Sequence, residues 1–390
     1  MNRYDSAELL SGSWNYPTSM IFGVDTVLRV PNLCKEQGLE NPLLVCDKGI
    51  VDLPFVHSLV SEFTSASISL GVFSDVKTNP TGKNINDGVV AFKRGNHDAV
   101  IALGGGSALD AGKAIALMSG QDRALWDFED EGDNWTRVLV DGVAPIIALP
   151  TTSGTGSEVG RASVIVDEQR KKKVIIFHPK MLPTMVVCDP KLTIGLPPAI
   201  TAATGVDAFV HCFEAYCAPG FHPMADGIAL EGMRLIKENL LIAYTDGSNL
   251  VARANMMAAS SMGATAFQKG LGAVHALAHP LGAIFDKHHG LLNAILLPFV
   301  IQRNMTEISS KLENIARYLQ LDVCSAEGFI EWMMSWRRGL GIPCYLKDIG
   351  IGVDRAGDIG QFAVSDPSAS GNPIPLTAAE YTEVFIQAVG

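Results

Sequence analysis

The sequence predicts two domains: an α/β domain with a parallel sheet over residues 1–190, then an all-helical domain over 191–390. Three observations predict it. A chain of 390 residues exceeds what one ordinary core organises. Its first half alternates short apolar runs with helical segments, the pattern of a parallel sheet covered on both faces. After Pro197–Pro198 the chain turns Ala- and Met-rich with a helical period, and no run there reads as a strand.

The elements follow in order. "PLLVCD" (42–47), "SLGVFSDV" (69–76) and "DAVIALGGG" (98–106) are strand-like apolar runs ending in small or polar residues, and "NINDGVVAFKRGN" lies between them as a helix. "APIIALP" (144–150) is another buried strand and leads into the polar loop "TTSGTGSE". "ASVIVDEQRKKKVIIF" reads as a hairpin with a charged tip, and "MVVCDP" as one more strand. Helices are predicted in "AITAATGVDAFVHCFEAY", "MADGIALEGMRLIKENL", "NLVARANMMAASSMGATAF" and "AEGFIEWMMSWRRGL". There is no internal repeat and no low-complexity linker.

Composition excludes several classes. With 47% hydrophobic residues and 18% charged ones, the chain can bury a sizeable core, while a net charge of −11 argues against nucleic-acid or anionic-membrane partners. The opening "MNRYDSAELLSGSW" has no apolar stretch of the secretory kind, and no apolar run is long enough to span a bilayer. Seven dispersed cysteines without a CxxC pair suit reduced thiols. The expectation is a cytoplasmic enzyme acting on a small molecule.

Two loops carry ligand chemistry. In "VIALGGGSALDAGKAIA", Gly104, Gly105 and Gly106 follow a strand and open a helix, with Ser107 and Asp110 spaced as a capping pair. Glycines let a phosphate approach the backbone, and a helix start offers free N–H donors. The spacing is neither G-x-G-x-x-G nor a P-loop, so a tight turn alone would also account for it. "PTTSGTGSE" (150–158) leaves the end of another strand, with hydroxyls suited to phosphate or ribose. Asp47 closes the first strand of the run, where a carboxylate can hold ribose hydroxyls and repel a 2′-phosphate, or simply cap a turn. Together the three favour a dinucleotide.

The second half carries a different chemistry. "HALAHPLGAIFDKHHG" (275–290) holds four of the nine histidines. His275 and His279 share a helix face at i and i+4, and "DKHH" before Gly290 reads as the turn after that helix. In "TGVDAFVHCFEAY", Asp207 and His211 are i and i+4 on an otherwise apolar helix, so they must pair with each other or bind a metal. An Asp/His set without sulfur suits Fe2+ or Zn2+ better than Mg2+ or Ca2+.

Four ordered motifs, "GGGSALDAGKAIA", "PTTSGTGSEV", "TGVDAFVHCFEAY" and "HALAHPLGAIFDKHHGLLNAILLP", together resemble the iron-containing (group III) alcohol dehydrogenases. "NPTG" at 79–82 and "DPKLT" at 189–193 extend the likeness, which runs from about residue 15 to 390. The resemblance implies a Rossmann-like NAD-binding domain, a helical domain in a dehydroquinate-synthase-like architecture, and a metal, Fe2+ or Zn2+, in the cleft between them. It places the metal ligands at Asp207, His211, His275 and His289, and leaves His279 as a proton relay beside substrate and nicotinamide. Asp47, Asn79, Gly105, Gly106, Ser107, Thr151, Thr152, Lys173 and Leu192 fall where the family contacts NAD. The implied reaction is hydride transfer between a primary alcohol or its aldehyde and NAD, in a homodimer or larger homo-oligomer.

The sequence also departs from the family's pattern. His288 stands where many relatives carry proline, Ala266, Gln268 and Lys269 replace common pocket residues, and Ile374 stands where arginine is frequent. Lys269 precedes His275 by six residues, about 240° net around a straight helix, so it would miss the ligand face. Gly270 and Gly272 allow a bend that brings it to the cleft mouth, where it would pair with an anionic substrate; the alternative is a pairing with a structural acid. Two rival activities remain: a metal- and NAD-dependent lyase or synthase of the dehydroquinate-synthase type, and a non-catalytic NAD- or metal-binding protein. The first needs a Lys/Arg-rich polyanion pocket, whereas the ligand-bearing stretches here are apolar.

Overall fold

The computed structural model describes residues 16, 18–170 and 172–390, so the opening stretch and Lys171 of the hairpin's basic run lie outside the described residues. The chain divides into two compact units, Pro17–Gly195 and Leu196–Gly390.

In the first unit the elements run β1 (Ser19–Phe22), α1 (Val30–Glu36), β2 (Leu43–Val45), α2 (Pro54–Ser65), β3 (Gly71–Phe73) and α3 (Gly82–Arg94). They continue as β4 (Val100–Gly104), α4 (Gly106–Met118), β5 (Ile146–Pro150), β6 (Ala162–Asp167), β7 (Lys172–Phe177) and β8 (Met185–Cys188). Six strands form one parallel sheet in the order β1-β8-β5-β4-β2-β3, while β6 and β7 pair antiparallel as the expected hairpin. Every residue of β2, β4 and β5 is buried, as apolar strands covered on both faces must be. Alternation along the pleat divides them: Leu43, Val45, Val100 and Ile146 join one core with α3 and α4. Leu44, Ile101, Leu103 and Ile147 join the other with α1 and α2. The sequence reading missed β1, a largely exposed edge strand of four residues.

The strand order also creates a place for a ligand. From β2 the chain goes out to the edge strand β3 and returns on the other side of β2 as β4. The carboxyl ends of β2 and β4 therefore flank a switch in direction, where open parallel sheets leave a crevice for ligands.

The second unit holds α5 (Pro198–Cys217), α6 (Pro223–Thr245), α7 (Leu250–Ala266), α8 (Ala273–Phe285), α9 (His289–Tyr318), α10 (Ala326–Gly339), α11 (Ala356–Val364) and α12 (Ala378–Val389), and no strand among the described residues. Proline opens α5 at its first position and Asn249 caps α7, devices that satisfy or dispense with unpaired N–H groups. Helix α5 is central: 16 of its 20 residues are buried, against α6, α7 and α9. Its ionisable side chains Asp207, His211 and Glu214 are buried with it and need partners. No helix among the described residues is long and apolar enough to cross a membrane, and none of the seven cysteines is in a disulfide.

Candidate functional site

The residues expected at NAD gather along the carboxyl edge of the sheet in the first unit. Asp47 leaves β2 and accepts from the Gly49 N–H at 2.8 Å, which fixes its carboxylate. Across the switch point, Gly104 ends β4 at φ +146°, a conformation that favours glycine, and Asp47 Oδ2 lies 3.4 Å from where a Cβ on Gly104 would stand. Gly105 and Gly106 face Thr152 and Thr155, and Thr151 N donates to the Gly104 carbonyl at 2.9 Å, so the two loops are packed together. Asn79 sits in the loop after β3, whose Thr78 carbonyl accepts from the Ser107 hydroxyl. Lys173 lies on β7 opposite Val166, and Val166 N donates to Pro80 at 2.8 Å, which ties the hairpin to the Asn79 loop. Leu192 is buried in a short 3-10 turn just past β8.

The capping pair is corrected. Gly105, not Ser107, is the N-cap of α4, because the helix begins two residues earlier than a Ser107 cap implied. Asp110 instead reaches across to the second loop, accepting from Ser157 Oγ at 2.5 Å and Val164 N at 2.8 Å. Fully buried Lys113 pairs with it at 3.3 Å and donates to the Ser157 and Ala162 carbonyls; burial pushes its pKa down, against the pull of Asp110. This pair, missed by the sequence reading as a unit, pins the polar loop to α4.

The second unit carries the imidazole cluster. Asp207, His211 and Glu214 fall at i, i+4 and i+7, one stripe of α5, and all three are buried. Helix α8 supplies His275 and His279 one turn apart. Asp286, in the left-handed conformation, ends α8, and the chain reverses so that His289 opens α9. The expected turn is therefore only Asp286–His288, a second correction. Gly290 explains the tight approach: a Cβ there would collide with the Ala203 carbonyl of α5 and lie 3.0 Å from Asp207 Cβ. His289 is thereby brought against Asp207.

Ligand atoms of Asp207, His275 and His289 all lie within 4.8 Å of one another. His289 Nε2 is 3.8 Å and His211 Nε2 4.0 Å from Asp207 Oδ1, and the His211 ring stacks on His275 at 4.8 Å. His279 stacks on His289 at 5.3 Å, and its Nδ1 donates to Asp366 Oδ2 at 2.9 Å. Burial would raise the Asp207 carboxyl, but His211, His289, His275 and the Asn293 amide bring it down to about 2. Burial drives His275 well below its ordinary value, so its imidazole is neutral, as a ligand must be. Exposure grades outward: Asp207 and His275 are 1% exposed, while the side chains of His289 and His279 reach 27% and 23%. Those two imidazoles form the open side.

The residues fit a divalent cation on an observation of their own. Asn293, fully buried on α9 one turn after His289, points its amide nitrogen at three ligand atoms: Asp207 Oδ1 at 2.6 Å, His289 Nε2 at 3.1 Å and His275 Nε2 at 3.2 Å. Its own Oδ1 is a buried acceptor without a hydrogen-bond partner. A carboxylate and neutral imidazoles converging on one small electropositive group are a cation's donor set. Asn293, Glu214 and Asp366 were missed by the sequence reading. The i+4 spacing of Asn293 from His289 and the i+3 spacing of Glu214 from His211 were the signals for two of them, and no spacing marked Asp366.

Lys269 is corrected in the other direction. The chain does bend, through a 3-10 turn (Phe267–Lys269) and Gly270 at φ +142°. The side chain, however, is 2% exposed and its ammonium is paired with Asp226, beside the Tyr216 carbonyl at the far end of α5. Tyr216 lies nine residues past Asp207, about 13 Å along the helix. The structural acid has won, and Lys269 has no free face for a substrate anion.

One chain thus carries a parallel sheet with a topological switch point and a buried carboxylate–imidazole cluster that could hold a cation. The profile of the iron-containing alcohol dehydrogenases matches residues 17–190, and that of the C-terminal part of the Fe-containing alcohol dehydrogenase family matches 201–389. The chain is 36% identical to 4-hydroxybutyrate dehydrogenase of Cupriavidus necator, over 94% of this chain and 97% of that one. It is 34% identical to 1,3-propanediol dehydrogenase of Klebsiella pneumoniae, over 95% and 97%. A crystal structure of 1,3-propanediol oxidoreductase superposes with a TM-score of 0.92 at 34% identity, covering 97% of this chain and all of that one. The chain belongs to the iron-containing alcohol dehydrogenase family, and it is an NAD-linked alcohol/aldehyde oxidoreductase.

Proposed function

We propose that this chain interconverts a primary alcohol and its aldehyde with Asp207, His211, His275 and His289 holding Fe2+ and His279 relaying the proton. The observation that carries the reading is the convergence of Asp207, His275 and His289 on a single point, the Asn293 amide nitrogen. Zn2+ suits the same donors, and reconstitution with each metal decides between them. The chemistry supplied by the bound groups is Lewis acidity at the substrate oxygen and hydride exchange at the nicotinamide.

The chain's own residues do the rest. Asp366 accepts from His279 Nδ1, which leaves Nε2 as the basic atom on the open side of the cluster. Buried Ala, Leu and Val around His275 keep the inner wall dry, which strengthens every electrostatic interaction within it. In the first unit, Asp47 takes the adenosine ribose, the Gly105–Ser107 backbone and the Thr151–Thr152 loop take phosphates, and Asn79, Lys173 and Leu192 complete the dinucleotide contacts. The pinned loops support this, since a preorganised cradle loses little entropy on binding. Thiols outside any disulfide suit a cytoplasmic enzyme, and a homo-oligomer belongs to the same reading.

Metal-free protein reconstituted with Fe2+ or Zn2+ should oxidise primary alcohols with NAD, 4-hydroxybutyrate and 1,3-propanediol included. Activity independent of metal, or a lyase product without net redox change, would overturn the proposal. The lyase reading needs a polycationic pocket around the metal, and the helix that bears His275 is apolar apart from its histidines.

A further inference from the structure

We propose that Glu214 is the positioning residue of the metal centre, fixing which nitrogen of His275 is offered to the metal while it caps the helix that carries that histidine. The inference rests on the ligand assignment above and concerns a residue outside the ligand set.

Glu214 lies one turn after His211 on α5, 4% exposed, facing the start of α8. Its Oε2 accepts from the Gly272 N–H at 2.9 Å and from His275 Nδ1 at 2.6 Å, while Oε1 accepts from the Val274 N–H at 2.7 Å. A helix start leaves N–H groups unpaired, and at a buried start such groups are costly. One carboxylate therefore satisfies two backbone donors of α8 and one imidazole on its first turn.

That sharing has a chemical consequence. In its ionised form Glu214 only accepts, so the single proton of neutral His275 then sits on Nδ1. The far side of the ring is compatible with this: Nε2 is 3.2 Å from the Asn293 amide nitrogen, a donor group that a lone pair there suits. Two partners on opposite edges of one imidazole thus suit the same tautomer, the one with Nε2 free to coordinate. Because the same carboxylate holds the backbone of Gly272 and Val274, it also sets where the ring sits relative to Asp207. A carboxylate behind a ligating histidine orients the ring and raises its basicity; its loss typically costs 10–100-fold in metal affinity.

A neighbouring residue provides the matched control. Asn372 Oδ1 accepts from the Ala273 N–H at 3.2 Å, capping the same helix start without touching an imidazole. If Glu214 were only a cap, its loss and that of Asn372 would look alike.

The test is a Co2+ titration of the metal-free full-length protein, read by visible absorption, with thermal melting of each metal-free variant. Glu214→Gln keeps the shape but presents an NH2 to an N–H whichever way its amide turns. It should raise the Co2+ dissociation constant 10–100-fold and alter the absorption band. Asn372→Ala should lower the melting temperature yet leave the dissociation constant within threefold of wild type, and Glu214→Asp should recover part of the affinity that Glu214→Gln loses. A Glu214→Gln protein that melts early but binds Co2+ with wild-type affinity and spectrum overturns the proposal. Nitrogen-15 NMR of the metal-free wild type decides it even if that variant does not fold: the Nδ1–H tautomer at His275 supports it, and Nε2–H overturns it. Failure of the wild type to bind Co2+ at all would instead refute the ligand assignment, which the tautomer measurement does not presuppose.

Discussion

Asp47→Asn isolates one charge. The amide oxygen of the variant would still accept from the Gly49 N–H, the 2.8 Å contact that fixes Asp47, so the loop keeps its shape and only the formal charge goes. If this carboxylate meets the adenosine ribose, NADP would bring a phosphate of nearly two negative charges to within about 5 Å of it. At an effective dielectric constant of ~40, two unit charges at that distance repel by about 1.7 kcal/mol, hence about 3 kcal/mol for the phosphate. Salt screening at a half-buried site lowers this to roughly 2 kcal/mol, or about 30-fold in discrimination. The assay is kcat/KM for NAD and for NADP with one alcohol at fixed ionic strength. The NADP-to-NAD ratio should rise about 10–30-fold in the variant, with a smaller gain at high salt. A ratio within threefold of wild type would show that Asp47 does not face the 2′ position and serves only its own turn.

His279→Ala should keep about one metal per chain and lose about 100-fold or more in kcat; metal loss in this variant together with metal retention in His289→Ala would reverse the two assignments. Lys269→Ala should destabilise the helical unit by about 1–3 kcal/mol, because it strands the partly buried Asp226 carboxylate, and should change KM equally for charged and neutral alcohols. A selective rise for the anionic substrate would restore a role for Lys269 in binding. Burial raises the Glu129 carboxyl, but hydrogen bonds from Lys172 and Arg170 outweigh it and hold the group below its ordinary 4.5. A depressed carboxyl contributes stability that is present above pH 4.5 and lost as pH falls through the folded value. Melting temperature measured from about pH 6 to about pH 3 should therefore fall less steeply in Glu129→Gln than in wild type, and parallel curves would remove Glu129 from the acid response.

What the sequence made legible, and what it hid, divides by the range of the interaction. Strands β2, β4, β5 and β8 were visible because each is a near-continuous apolar run, which a strand buried on both faces has to be. β1 (SMIF) has as many consecutive apolar residues as β2 but lies exposed at the sheet's edge, and the sequence reading did not pick it out. The Asp207–His211 spacing was local, one turn of one helix, and pointed to a buried polar stripe before any fold was known. The groups that orient that stripe were hidden for the opposite reason. Asp366 reaches His279 across 87 residues, Asn293 reaches Asp207 across 86, and Glu214 reaches His275 across 61. No periodicity encodes such pairings; only packing does. Lys269 shows the same limit from the other side, because its glycine-rich neighbourhood announced a bend while the acid that captures it lies 43 residues away.

The long-range partners also explain why the cluster is built on α5. Three polar side chains on a helix buried on nearly every face would be costly if left unpaired. Two helices meet them: α9 meets Asp207 through Asn293 and His289, while α8 meets His211 through the ring of His275 and Glu214 through its first turn. The same contacts that make the stripe tolerable therefore dock α8 and α9 at fixed heights along α5. Removing one polar group should then shift a whole helix, and the effect should reach every donor that helix carries. For this reason substitutions of a stripe residue and of the group it meets should not be additive: Glu214→Gln and His275→Ala combined should weaken Co2+ binding little more than His275→Ala alone, because Glu214 acts on the metal through that one ring. Additive losses would mean that Glu214 reaches the metal by a second route.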